Sequence, residues 1–170
     1  MTRIGDLIRS PAVLVMFAGL LVLAGPPSAR ADTVTDWNAH ATDALVVTGG
    51  QSPTVSATHL AMVHGAVYDA VNAIDRRYDP YLVAPPARRW YSKDAAAVTA
   101  AYRVLASLVP TQQATLDALY AASLAGIPAG NAKDGGIMVG ESAAAAMLAA
   151  RANDGRFGPY RFPVGSEPGE

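Results

Sequence analysis

Apolar residues in this chain recur three and four positions apart and nowhere alternate over the length of a strand, which commits it to helices. The clearest case is THLAMVHGAVYDAVNAID, residues 58–75, where Leu60, Val63, Val67, Val71 and Ile74 mark a helix over 56–74. Those five residues are its expected core stripe. His64, Tyr68, Asn72 and Asp75 fall directly beside the stripe, while Met62, Ala66 and Ala73 lie opposite, interrupted only by Asp69 and flanked by His59. A helix that is apolar nearly all round is expected to be enclosed by others. The chain's 35 alanines supply smooth partners for it.

Four further helices are expected around this one. Residues 36–47 form a short helix opened by Asp36 and ended by Gly49, Gly50 and Pro53. Residues 76–89, with Pro80, Pro85 and Pro86, read as an irregular crossing loop. Ser92 caps a third helix with Val98, Tyr102, Leu105 and Leu108 on one face, and Pro110 stops it. Thr111 opens a fourth through Leu116, Leu119, Tyr120 and Leu124, closed by Gly126. A fifth covers 136–153, where Ala143, Ala144, Ala145 and Ala146 allow close helix contact. Residues 153–170 are rich in glycine and proline and read as a loop ending in a truncated tail. The expected architecture is an all-α bundle of about five helices, an incomplete half of a larger helical domain.

The N-terminus sets the compartment. Arg3 and Arg9 precede an uncharged run over 11–25, followed by Ala29-Arg30-Ala31, the pattern of a signal peptide over 1–31 with Asp32 as the mature start. The run is too short for a membrane-spanning helix, which needs about 20 apolar residues. The expected location is secreted or extracytoplasmic. The mature chain would keep 139 residues with 10 basic and 13 acidic side chains, a balance that suggests neither a nucleic-acid nor an anionic-membrane partner, so no membrane partner is expected after signal cleavage. Cysteine is absent, so disulfides and thiolate chemistry are excluded.

Few constellations carry chemistry. His64, Tyr68 and Asn72 form a polar ladder that could face a pocket with His64 as general base. With no nucleophile and no paired acid beside it, a network of hydrogen bonds among buried polar groups is the better expectation. His59 and His64 are five residues apart and lack the i,i+4 spacing of zinc helices. Arg76-Arg77 and Arg88-Arg89 could hold an anion, though charges flanking proline loops are ordinarily solvated surface. No phosphate-cradling glycine loop, nucleophile elbow or metal-ligand cluster occurs. No catalytic, cofactor-binding or metal-binding residue is assigned.

The mature region taken whole is more specific. DWNAHATDAL, the helix THLAMVHGAVYDAVNAID, the loop DPYLVAPPA, AAAVTAAYRVLASLVP and VGESAAAAMLAARANDGRFGPYRFPVG resemble the N-terminal part of secreted bacterial vanadium-dependent haloperoxidase-like proteins, which belong with the type-2 phosphatidic acid phosphatase superfamily. The resemblance covers residues 32–170. It implies peroxide-dependent halide oxidation on a bound vanadate, or phosphate-ester hydrolysis in the same pocket. Either needs convergent cations and a histidine around a tetrahedral oxyanion. The family supplies these from a lysine followed by Arg-Pro, from Ser-Gly-His, and from an arginine followed by a histidine and an aspartate. None of those motifs occurs here, and His64 and Asp69 match only the family's structural helix.

The resemblance therefore implies an N-terminal portion that is inactive alone, with vanadate belonging to the full-length family and a complementary C-terminal half as the partner. The alternatives are a stand-alone exported helical binding or scaffold protein and, third, an independent enzyme using His59, His64 or Asp69.

Overall fold

The computed structural model describes residues 32–155 and Gly158. Residues 1–31, where a signal peptide is expected, and the tail beyond 155, Gly158 apart, lie outside the described residues. The chain divides into two units after Ala31, and everything below concerns the second.

Among the described residues the fold is all-helical, with five α-helices and no strand. Helix α1 spans Thr33–Thr42 and runs on as a π-helical turn over Asp43–Val47. It begins earlier than Asp36 because Asp32 is extended and its carboxylate accepts the Val34 N–H at 3.3 Å, which satisfies one of the free donors of the first turn. Helix α2, Pro53–Asp75, starts with proline in the first turn, where its missing N–H costs nothing. Helix α3, Lys93–Leu108, is capped as expected, with Ser92 Oγ accepting the Ala95 N–H at 3.1 Å. A 3₁₀ turn, Pro110–Gln112, leads into α4, Gln113–Ala125.

Helix α5, Asn131–Arg151, begins before the expected position and contains Gly135 and Gly136 within its second turn. Both are poor helix formers in isolation. Tertiary contact explains them: a Cβ on Gly136 would stand 2.3 Å from the Ser92 carbonyl oxygen, and one on Gly140 would stand 2.5 Å from that of Ala96. The backbones of α3 and α5 approach so closely that only hydrogen fits between them. Ala143, Ala144 and Met147 continue this buried face of α5.

Helix α3 is the centre of the molecule and touches every other α-helix. Helices α2, α3 and α5 contact one another pairwise and enclose the apolar core, while α1 and α4 pack onto α3. Trp37 of α1 is buried beside Tyr102 and donates its indole N–H to Ser123 Oγ of α4 at 3.2 Å, tying both outer helices to the centre.

The buried face of α2 differs from the expected stripe. Val63, Val67 and Ile74 are buried, but Leu60 and Val71 are only half-buried, and Met62, Ala66, Ala70 and Ala73 are buried as well, Ala66 and Ala70 completely. Small alanines face the alanine-lined α3 and α5, where close helix approach removes most water. The bulkier Leu60 and Val71 are left at the edge. On the outer side, around His64 and Tyr68, the helix contact found among the described residues is with α1, through Asn38.

Candidate functional site

The outer side of α2 is shaped by the segment that leaves its C-terminal end. Arg76 closes the helix in the left-handed conformation at φ 58°, and its N–H returns to Asn72 O at 2.6 Å. The chain then runs back along α2, held at successive turns by side chains of that helix. The Asn72 amide donates to Tyr78 O at 2.6 Å and accepts the Tyr78 N–H at 3.1 Å. Tyr68 OH donates to Asp79 O at 2.8 Å. The buried Asp69 carboxylate accepts three successive backbone N–H groups, from Tyr81 at 2.6 Å, Leu82 at 2.9 Å and Val83 at 3.1 Å.

These contacts explain why a carboxylate interrupts an apolar helix. A proline-rich loop forms few ladders of its own, and Asp69 supplies acceptors for amides that would otherwise lose their partners. The Arg76 guanidinium, donating to Ala87 O, pins the returning strand of the loop.

His64, Tyr68 and Asn72 do share one side of α2, but they do not bond to one another. His64 Nε2 lies 2.9 Å from Asn38 Oδ1 on α1, while Tyr68 and Asn72 serve the loop backbone. The expected network of buried groups satisfying one another does not form: only Asn72 is buried, Tyr68 is exposed, and each of the three finds its partner in another element. His59 is buried and its Nδ1 lies 2.9 Å from Gln51 Oε1, on the other side of the helix from His64. Among the described residues no group of three His, Cys, Asp or Glu is arranged to hold a metal ion.

Between the start of α1, the outer side of α2 and Tyr78 lies an open cleft of about 330 Å³, lined by Val34, His64, Val67, Tyr68, Val71 and Asn72 among others. Its walls are mainly apolar, and the imidazole and the carboxylate that line it, His64 and Asp75, already have partners in Asn38 and in Arg77 and Lys93.

The cations gather elsewhere, at the C-terminal end of α2. Asp75 pairs with Arg77 at 2.9 Å and with Lys93 at 3.1 Å. The Lys93 hydrogen bond, with the charges of Arg77, Lys93 and Arg89, holds the Asp75 carboxyl below its ordinary value. A tetrahedral oxyanion site needs such cations to converge with a histidine. Here they surround Asp75, eleven residues and about 16 Å along α2 from His64. The described residues do not fit a vanadate or phosphate site of the kind the resemblance implies.

A second polar cluster fastens α4 to α3. Tyr102 OH donates to Asp117 Oδ1 at 2.6 Å, Gln113 reaches both groups, and the Tyr102 and Tyr120 rings stack at 4.1 Å between centroids. The Asp117 hydrogen bond and burial together push the Tyr102 phenol above its usual value. No cleft adjoins this cluster among those described, and it reads as a fastening.

Sequence reasoning missed the anchoring role of Asp69, for which a signal existed: one carboxylate on an apolar helix face, followed a few residues later by a proline-rich loop that needs acceptors. It also missed the exposed aromatic side chains of that loop, whose placement depends on the anchors. Comparison of the chain with protein families, with curated proteins and with solved structures finds no match.

Proposed function

We propose that this chain is the N-terminal helical portion of an exported haloperoxidase-like or acid phosphatase-like protein, and that it acts as a packing scaffold whose catalytic groups come from a complementary C-terminal portion. In this reading the signal segment is removed after Ala31, and the chain alone is inactive. The observation that carries it is the open apolar cleft on the outer side of α2, flanked by Val67 and Val71 on a helix whose other sides are packed. Apolar side chains left at an open cleft gain from a partner that covers them. The motifs quoted above supply the family, and the separation of His64 from the cations around Asp75 supports the assignment of chemistry to the partner.

The test pairs binding with turnover. The purified chain with orthovanadate, peroxide and bromide is expected to halogenate no faster than a heat-denatured control. Adding a separately expressed C-terminal portion carrying the Arg-Pro and Ser-Gly-His motifs is expected to restore turnover. Val71→Glu, at a half-buried cleft position, should abolish that restoration while leaving the helical circular dichroism intact. Turnover by the chain alone, lost in His64→Ala, would overturn the proposal. Capture of the C-terminal portion without turnover would favour the stand-alone binding protein.

A further inference from the structure

The overall charge balance conceals a segregation. Between Asp75 and Asp94 lie five cations, Arg76, Arg77, Arg88, Arg89 and Lys93, against three carboxylates. The remaining described residues carry three cations, Arg103, Lys133 and Arg151, against eight carboxylates. The loop brings its two arginine pairs together, since the Arg76 guanidinium bonds the carbonyl of Ala87, the residue before Arg88. Asp75 engages Arg77 and Lys93, which stay 70% and 51% exposed at their side chains. One carboxylate thus serves two cations in a basic cluster open to solvent.

The same loop carries much of the large apolar surface the molecule exposes. Tyr78, beside Arg77, is 71% exposed, and Trp90, beside Arg89, is 54% exposed. Tyr81 and Leu82 are also exposed at the far end of the loop. They are not loosely placed: Asp69 holds the backbone of both, and Asn72 holds that of Tyr78. A rigid loop that presents aromatic rings next to arginines matches the layered chemistry of a bilayer surface, where Trp and Tyr settle at headgroup depth and Lys and Arg meet lipid phosphates.

We propose that the loop joining α2 and α3 is a docking surface for an anionic lipid bilayer, with its arginine pairs and Lys93 on the lipid phosphates and Tyr78 and Trp90 in the headgroup layer. The acidic remainder of the described region is repelled by such a surface, so the charge asymmetry also orients the molecule with this loop inward. A soluble polyanion would use the cations and could stack on the aromatics, but it offers nothing to Leu82. A bilayer rewards all three. The interaction is peripheral: among the described residues no helix is long and apolar enough to cross a membrane. The docking concerns the chain alone, because Tyr78 also borders the cleft that the proposed partner would cover.

The two tryptophans make the test direct, because Trp37 is 2% exposed and silent while Trp90 reports its surroundings. The purified chain is titrated with vesicles of phosphatidylglycerol mixed with phosphatidylcholine and with vesicles of phosphatidylcholine alone. Expected are a blue shift of emission and co-sedimentation with the anionic vesicles only, both reversed by salt, with the shift absent in Trp90→Phe. At about 1 kcal/mol per cation near the surface, Arg88→Gln/Arg89→Gln should lower partitioning roughly 30-fold, whereas Arg103→Gln, on α3, should leave it unchanged. Circular dichroism verifies that each variant is folded. Equal partitioning into neutral vesicles, or equal loss in Arg103→Gln, would overturn the proposal. So would binding to heparin or single-stranded DNA with no vesicle partitioning, which would make the loop a polyanion site instead.

Discussion

The seam between α3 and α5 and the latched outer side of α2 achieve order by opposite means. At the seam glycines and alanines let two backbones meet, and polar contact is confined to an exposed ion pair of Arg103 with Glu141 at 2.6 Å and the Ser92 N–H donating to Ala132 O at 2.8 Å. On the outer side of α2 there is little to bury, and a proline-rich loop is held by a carboxylate, an amide and a phenol that supply partners for its backbone. The first arrangement tolerates no added atom. The second tolerates added bulk at its surface but not the loss of a single acceptor, and it leaves side chains free for a partner.

The largest effect is expected at the seam. In Gly140→Val the first added carbon would stand 2.5 Å from the Ala96 carbonyl oxygen and 2.8 Å from Thr99 Cβ, so α5 must move away from α3. A cost of about 3 kcal/mol is expected. It corresponds to a fall of roughly 10 °C in the thermal midpoint followed by circular dichroism. A midpoint within a degree of the parent would show that the seam can open cheaply and would dissolve the contrast.

Asp69→Ala should do less overall and more locally. It leaves the amides of Tyr81, Leu82 and Val83 without their acceptor, for which a cost of about 2 kcal/mol is expected. The sharper measurement is amide hydrogen exchange. The three loop amides should lose protection while those of α3 and α5 keep theirs. Uniform loss across the molecule would mean that the loop is an integral part of the core.

The smallest effect is expected at the fastening of α4, which combines both styles. Tyr102→Phe keeps the stacked ring and removes the hydrogen bond to Asp117, at about 1 kcal/mol. The folded Tyr102 binds its proton more tightly than an ordinary phenol of 10.0, so its contribution is complete below that value and is lost as pH rises above it. The parent should therefore lose stability in alkali more steeply than Tyr102→Phe. Parallel alkaline profiles would remove the Tyr102 proton from the account.

Helix existence was legible because periodic apolar spacing and caps are local properties. Ser92 capped α3 as expected, and the prolines placed the loop between α2 and α3 correctly. The start of α5 was not legible, because Gly135 and Gly136 oppose a helix until the neighbouring α3 is present to reward their lack of a side chain. The buried side of α2 was legible in part: Val63, Val67 and Ile74 are buried as expected, while Leu60 and Val71 are half-buried. Hydropathy favoured Leu60 and Val71, yet proximity to alanine-lined helices buried Ala66, Ala70 and Ala73.

For the candidate site, the sequence determined the cast: a histidine, tyrosine, asparagine and aspartate on one helix, and two arginine pairs around prolines. It could not determine their partners. That His64 meets Asn38, that Asp69 holds three loop amides, and that Arg76 reaches the residue before Arg88 depend on where the chain returns after leaving α2. Spacing along a helix fixes which side a residue takes. What stands on that side is decided only when distant segments fold against it, as when the loop's return places Ala87 O within reach of the Arg76 guanidinium.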